Sequence, residues 1–488
     1  MGVPAPSPLN PLSSEDPETH FPHSLYTHLF RSLFKTVSRN LLLFTVSLEV
    51  STFAWWGCSP TTYAVPLFFL LLCAAMAQYW LTRPRPVYLV DFSCLKPPSH
   101  LRVPFSTFSE HASLVGFLNQ ESIDFMMKVI RSSGQGEMTY LPPPLHFLPP
   151  RTNHSDCVDE ACMVLFPVMD DLLAKTCTSP RAIDFLIVNC SGFCPSPSLT
   201  SILVNAYGMR EDIKTYNLSG MGCSAGILGV DLARRLLDLH PDSIALVLST
   251  EIISTGWYPG KDRRKLVLNC LFRMGCSGLM LSNRKDAKRR AKYELLCTVR
   301  TQMAFDDRAY RSAVREEDED GITGVTLERD LLHVARELLV AHLSVLGRRI
   351  LPFSEKALYV LWMLRRRYCG SSKEIHVPDF KSAVHHFCIP PSGKGLIKEI
   401  GKSLKLRPQD VEPALMTLHR FGNQSAAALW YELAYIEAKG RVKKGDKVWQ
   451  VGMGTGPKAN SAVWRSLRSI KAEGGPWSDC IDAYPVVD

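Results

Sequence analysis

Asn217-Leu218-Ser219-Gly220-Met221-Gly222-Cys223-Ser224-Ala225-Gly226 is the stretch on which the reading of this chain turns. Asn217 to Ser219 reads as the end of a strand, and residues 227–239 carry the apolar period of a helix. Between them stands a cysteine with glycines at −3, −1 and +3. The layout is strand, tight turn, nucleophile, helix. A thiol at a helix N-terminus faces the positive end of the macrodipole, which favours thiolate. The small neighbours leave a substrate room to reach the sulfur. The alternative is a buried structural thiol, the common fate of an unpaired cysteine; the glycine spacing favours the nucleophile.

Outward from this motif, apolar runs alternate with helical patterns. Residues 183–190, 244–249, 278–282 and 447–452 read as buried strands, and 198–207, 227–239, 354–367 and 425–438 as helices. Such alternation predicts a parallel or mixed sheet covered on both faces. The acidic run at 316–320 reads as a solvated loop. The basic run RKDAKRRAK at 284–292 reads as a solvated segment or as a patch for a phosphate-bearing ligand or anionic bilayer. The glycine-rich GMGTG at 452–456 lacks the Gly-Lys-Ser/Thr ending of a P-loop and is expected to bring backbone N–H groups towards a ligand.

The chain has 488 residues, 46% apolar and 21% charged, with net charge +9. That length suits one large α/β domain or two fused halves. Its 15 cysteines lack both disulfide-scaffold and CxxC spacing, so no metal site is expected and the thiols read as reduced. Zinc-finger spacing is absent and the basic clusters carry no interleaved aromatics, so no nucleic-acid partner is expected.

The amino-terminal region reads differently. Residues 1–39 form a Pro- and Ser-rich, then basic, leader, and Pro6 breaks a myristoylation signal. Residues 63–81 are 19 positions without a charge, nearly enough to span a bilayer. Residues 40–57 are shorter and hold Glu49, which costs about 3 kcal/mol at a helix centre. Arg31, Lys35 and Arg39 precede them, and Arg83 and Arg85 follow, with no charge in the link at 58–62. The positive-inside rule then gives a hairpin over 40–82 with both ends cytosolic. Trp55, Trp56, Tyr63, Tyr79 and Trp80 are placed as interface aromatics.

Further stretches carry a resemblance. The motif around Cys223 occurs with VDFSCLKPP at 90–98, MREDIKTY at 209–216, NCLFRMG at 269–275, TLHRFGN at 417–423 and WYELAYIEAKG at 430–440. Together, from about residue 87 to the C-terminus, they resemble the plant very-long-chain 3-ketoacyl-CoA synthases, the condensing enzymes of fatty acid elongation. The resemblance implies an α/β, thiolase-like fold of two similar halves in alternating helix and sheet layers, behind the membrane hairpin. The halves are expected at 83–372, with the nucleophilic cysteine, and 373–488. It implies an acyltransferase of the endoplasmic reticulum membrane with its soluble part facing the cytosol. Acyl-CoA and malonyl-CoA are the implied substrates, with no cofactor. Cys223 would carry the acyl group as a thioester, and Asn423 would hold the enolate oxygen. His386 and His419 fall on matching positions. A homo- or hetero-dimer with other synthases, and contact with other elongase subunits, are the implied partnerships.

The chain also departs from the pattern. After HFCI at 386–389 the family continues with a His, and here Pro390-Pro391 follows. Proline offers neither a side-chain donor nor a backbone N–H. A second family His is replaced by Gln302 in VRTQ at 299–302. His385 is an extra imidazole, but adjacent strand residues point to opposite faces. Two functions are compatible with these residues: an active condensing enzyme, or a weak or inactive member that regulates or pairs with active synthases. A soluble polyketide synthase of the chalcone synthase kind shares the Cys-His-Asn logic, and the hairpin and motif matches disfavour it.

Overall fold

The computed structural model describes residues 70, 72–77, 85–369, 378–471, 473 and 475–486, in two units, Met1–Pro84 and Arg85–Asp488. In the first unit residues 70 and 72–77 are helical; the rest of the expected leader and hairpin lies outside the described residues. Among the described residues no helix is long and apolar enough to cross a membrane.

The strands of the second unit are β1 (Val87–Cys94), β2 (Phe185–Asn189), β3 (Lys214–Leu218), β4 (Ile244–Thr250), β5 (Cys276–Ser282), β6 (Tyr293–Gln302), β7 (Ala313–Glu317), β8 (Thr323–Leu327), β9 (His386–Cys388), β10 (Lys447–Gly454) and β11 (Lys458–Ser466). The helices that frame the site are α1 (His154–Thr176), α2 (Ala225–Leu239), α3 (Arg263–Leu271), α4 (Leu331–Ile350), α5 (Phe353–Cys369), α6 (Pro408–Phe421) and α7 (Ala428–Ala438).

Nine strands form one sheet in the order β3-β2-β4-β5-β1-β6-β11-β10-β9, and β7 and β8 form a separate ribbon. β2 runs parallel to β3 and β4, and β9 to β10, while the other neighbours are antiparallel. Every residue of β2, β4 and β5 is buried, which explains their unbroken apolar runs: strands covered on both faces have no need to alternate. α1 covers β1, β4 and β5, and α4 covers β6 and β11. α2 lies against β2 and β4 and also against β10 and β11, so it joins the two ends of the sheet. Two apolar cores result; Leu246, Leu279 and Trp430 lie in one, Phe387, Leu418 and Trp449 in the other.

The sheet runs through both expected halves without a break. β6 comes from before residue 372, yet it pairs with β11 on one side and β1 on the other. The expected helix at 425–438 begins as a 3-10 turn at Ser425–Ala427 and becomes α-helical at Ala428. The basic run is not uniformly solvated. Lys292 is buried just before β6, where its N–H bonds to Leu89 on β1, and its ammonium pairs with Asp91, Glu437 and Glu473. The acidic run ends β7 and opens its turn to β8: Glu316 on β7 meets Lys265, and Asp318 in the turn accepts from the Tyr258 hydroxyl.

Candidate active site

The strand-turn-cysteine-helix layout is present: β3 ends at Leu218, Cys223 sits in a 3-10 turn at Gly222–Ser224, and α2 follows. The glycines serve close packing between turns. Gly222 has φ +59, and a Cβ there would lie 2.6 Å from the Thr455 backbone nitrogen. A Cβ on Gly226 would collide with the Ala426 carbonyl oxygen. The Cys223 turn is thus locked between the β10–β11 turn and the Ser425–Ala427 turn. This also revises the expectation for GMGTG. Gly452 and Gly454 belong to β10 and pack against the cysteine turn, while Thr455 and Gly456 reach the cavity.

Cys223 opens on a cavity of about 420 Å³. Its apolar wall includes Ile252, Ile253 and Trp257 after β4, Leu268 on α3, and Val314 and Val325 on the ribbon. Its polar wall includes Glu251, Ser425, Thr455 and Arg315. The Arg315 guanidinium is held by the carbonyls of Gly192 (2.8 Å) and Thr255 (3.1 Å), which leaves a fixed cation at this wall.

Two residues that sequence reasoning missed stand beside the sulfur. Ser425 Oγ donates to Cys223 Sγ at 3.3 Å, and the same hydroxyl lies 3.5 Å from Glu251 Oε2. The Gly192 N–H donates to Glu251 Oε1 at 2.6 Å and the Ser191 N–H to Oε2 at 3.2 Å. Burial pushes the Glu251 carboxyl up, and these two N–H donors oppose that shift. Burial also pushes the Cys223 thiol up to about 11, with the Ser425 hydrogen bond acting against it and the Glu251 charge adding to it. The expectation of a thiolate is therefore corrected for this state: desolvation beside a carboxylate outweighs the helix terminus. Ser425 sits at φ +53, a left-handed conformation that a non-glycine residue adopts at a cost of about 1 kcal/mol. The only signal for it in the sequence was its place two residues after Asn423.

Asn423 accounts for that conformation. Its Oδ1 accepts the Ser425 N–H at 2.8 Å, an Asx-type turn that fixes the serine. Asn423 is buried and is tied by its backbone to Leu271, the last residue of α3, and to Arg273 just beyond it. It does not line the cavity, so it positions Ser425 here rather than facing the cavity itself.

The two histidines are not brought to Cys223. His386, at the start of β9, faces Asp446 with Nε2 to Oδ2 of 2.9 Å, and burial holds its pKa below the usual value. His419, in the last turn of α6, shares a hydrogen bond with the Tyr484 hydroxyl at 3.0 Å. Neither lines the cavity. The His385 Nδ1 accepts the Lys447 N–H, and Gln302 is exposed at the end of β6. Pro390 is buried just after β9, where the Ile389 N–H donates to Glu432 Oε2 at 2.9 Å. Burial raises the Glu432 carboxyl well above the usual range, with the Ile389 N–H bond acting against that shift. Among the described residues no cluster of His, Cys, Asp and Glu could hold a metal ion.

A half-buried cysteine on a strand-to-helix turn, locked by turns from both ends of one mixed sheet, defines the class: a thiolase-like condensing-enzyme fold. Solved structures agree. A fungal type III polyketide synthase aligns with TM-score 0.62 and 16% identity, over 78% of this chain and 99% of its own. Tetrahydroxynaphthalene synthase of Streptomyces coelicolor, a bacterial type III polyketide synthase, aligns with TM-score 0.60 and 16% identity over 78% and 99%. The sequence profile of the FAE1/type III polyketide synthase-like proteins matches residues 79–368, and that of the 3-oxoacyl-[acyl-carrier-protein] synthase III C-terminal region matches 381–466. 3-Ketoacyl-CoA synthase 6 of Arabidopsis thaliana is 47% identical over 420 residues, 86% of this chain and 84% of that one. 3-Ketoacyl-CoA synthase 5 of the same plant is 48% identical over 417 residues, 85% of each. The chain belongs to the 3-ketoacyl-CoA synthase family.

Proposed function

We propose that this protein is a 3-ketoacyl-CoA synthase of very-long-chain fatty acid elongation, working through a thioester on Cys223. The observation that carries the reading is the Cys223–Ser425–Glu251 cluster at the wall of an apolar cavity. The thiol proton passes to the Ser425 oxygen as the serine proton passes to Glu251. The thiolate then attacks the acyl-CoA carbonyl, an S–C bond forms, and CoA leaves as a thiolate that regains the proton. Malonyl-CoA loses CO2, and its enolate attacks the enzyme thioester to release 3-ketoacyl-CoA and a Cys223 thiolate, which takes a proton from solvent to regain the resting thiol. Arg315 offers a cation to an anionic part of either substrate. The amino-terminal hairpin would hold the protein on the endoplasmic reticulum with this site in the cytosol.

A second reading is favoured by Pro390. A buried proline stands where the family pattern has an imidazole, one residue after the N–H that Glu432 accepts, and it can neither donate to an enolate oxygen nor accept a proton. Loss of one such donor typically lowers a rate by about 10² to 10³. In this reading the protein loads an acyl chain, condenses weakly and pairs with active synthases as a mixed dimer. Purified full-length protein in detergent, given long-chain acyl-CoA and labelled malonyl-CoA, distinguishes the two. We expect acyl-Cys223 to form, seen by mass spectrometry and lost in Cys223→Ala. Rapid 3-ketoacyl-CoA release removes the second reading, and absence of the acyl-enzyme removes both. A gain in release with Pro390→His assigns the deficit to the missing imidazole.

A further inference from the structure

We infer that α5 is an interfacial helix, lying along an anionic bilayer surface with its outer face in the headgroup and acyl boundary. The inference concerns the Arg85–Asp488 unit and goes beyond the condensing chemistry, on which it does not rest.

The first observation is an inverted amphipathic pattern. Phe353 is 84% exposed, and Leu358, Val360, Leu361, Met363 and Leu364 are each between 45% and 49% exposed. At 100° per residue these six positions cover an arc of about 220°. The opposite, half-buried side carries Glu355, Tyr359 and Trp362, and Lys356 stands half-buried within the apolar arc. Glu355 accepts the Asp379 N–H at 3.0 Å, and the rings of Tyr359 and Trp362 stack 5.8 Å apart. A helix facing water presents the opposite pattern, with its apolar stripe inward. The apolar exposure is also concentrated. Of the 16 exposed large apolar side chains described in this unit, six fall within the 12 positions from 353 to 364. Clusters of this kind mark a surface that meets an apolar partner, whereas single exposed apolar residues do not.

The second observation is charge, and it selects the partner. Residues 348–367 contain six cations, Arg348, Arg349, Lys356, Arg365, Arg366 and Arg367, and one acid, Glu355. The arginines bracket the apolar stretch at both ends, and Arg348, Arg349 and Arg365 are exposed. An apolar face flanked by basic residues is the pattern of a helix held at an anionic lipid surface. A second copy of this chain is the poorer occupant, because stacking two such faces would bring two arginine clusters together.

The test uses the full-length chain reconstituted in phosphatidylcholine vesicles with or without phosphatidylserine, carrying a radiolabelled phospholipid. A photoreactive residue is placed by Leu361→benzoylphenylalanine, by Val360→benzoylphenylalanine as an independent second site, and by Leu239→benzoylphenylalanine on the exposed end of α2 as the control. Adducts are scored in the membrane-recovered protein after irradiation. We expect lipid adducts at 360 and 361 at least about fivefold above the control in vesicles with phosphatidylserine. Removal of the anionic lipid, or Arg348→Glu with Arg365→Glu, is expected to lower that yield about threefold or more. Adducts at the control level overturn the inference, and where the protein is still recovered with vesicles they leave an amino-terminal anchor standing. A protein adduct of doubled mass overturns it in favour of contact between copies. A yield indifferent to lipid charge overturns the anionic surface. Acyl loading at Cys223, scored in the same preparation, reports separately on the proposed reaction.

Discussion

Ser425 stands between a sulfur and a carboxylate, and the two neighbours pull Cys223 in opposite directions. Its hydroxyl stabilises the thiolate, while the Glu251 charge disfavours it. Ser425→Ala should therefore raise the Cys223 pKa further above about 11, and Glu251→Gln should lower it. Alkylation of the Cys223 peptide by iodoacetamide across pH 7 to pH 10, followed by mass spectrometry, reads both signs. Acyl loading should respond differently. Glu251→Gln is expected to slow it by about 10²-fold, the usual contribution of a positioned base, although its thiol ionises more readily. Equal or faster loading would remove Glu251 as proton acceptor. Little of this cluster was legible beforehand. Ser425 lies 202 positions from Cys223 and 174 from Glu251, and only the folded sheet joins them. Asn423 was legible only through the family resemblance, as a donor to the enolate oxygen, and its role as the brace for Ser425 appears only in the hydrogen bonds. His386 and His419 were read as site residues by motif position. In the fold Asp446 and Tyr484 engage them instead.

Elements were legible where burial on both faces left an unbroken apolar run, as in β2, β4 and β5, or where a full helical period was present, as in α2. The β7–β8 ribbon was not, because Ala313-Val314-Arg315-Glu316-Glu317 carries a solvated face and reads as an acidic loop. Yet the ribbon supplies a wall of the cavity. The packing of α2 makes a sharper point about glycine. Gly226→Ala puts a Cβ onto the Ala426 carbonyl oxygen, which is backbone and cannot swing away. Overpacking of this kind costs about 1 to 3 kcal/mol. Gly395 sits in a helix with open space around it, so Gly395→Ala should be neutral or stabilising by about 0.5 to 1 kcal/mol. Opposite shifts in melting temperature are the expected result, and parallel shifts would count against the packing argument.

At the scale of the whole molecule, buried carboxyls set the pH response. Glu160 on α1 accepts the Ile253 N–H at 2.7 Å and the Ser254 N–H at 3.1 Å, tying that helix to the segment behind the cavity. Burial raises its carboxyl from 4.5 to about 7. Below pH 4.5 the group is neutral in folded and unfolded chains alike. As pH rises towards 7 the unfolded chain ionises first, so this contribution to stability is lost across that window. The raised pKa corresponds to about 3 kcal/mol. Glu251, Glu432 and Glu437 are shifted in the same direction by burial. Melting temperature in detergent should therefore fall between pH 5 and pH 7.5, and less steeply for Glu160→Gln. An unchanged slope would show that Glu160 ionises freely in the fold.

The interlocked glycine turns have a hereditary consequence. The backbone around residue 226 is shaped to the carbonyl of residue 426, and that around 222 to residue 455. Two related genes that recombine between those codons unite a cysteine turn from one parent with its counterpart from the other. Such chimaeras are expected to survive only when both parents share the same turn shapes. The middle and last thirds of the coding sequence should then be inherited as one unit, however far apart the coupled codons lie along the gene.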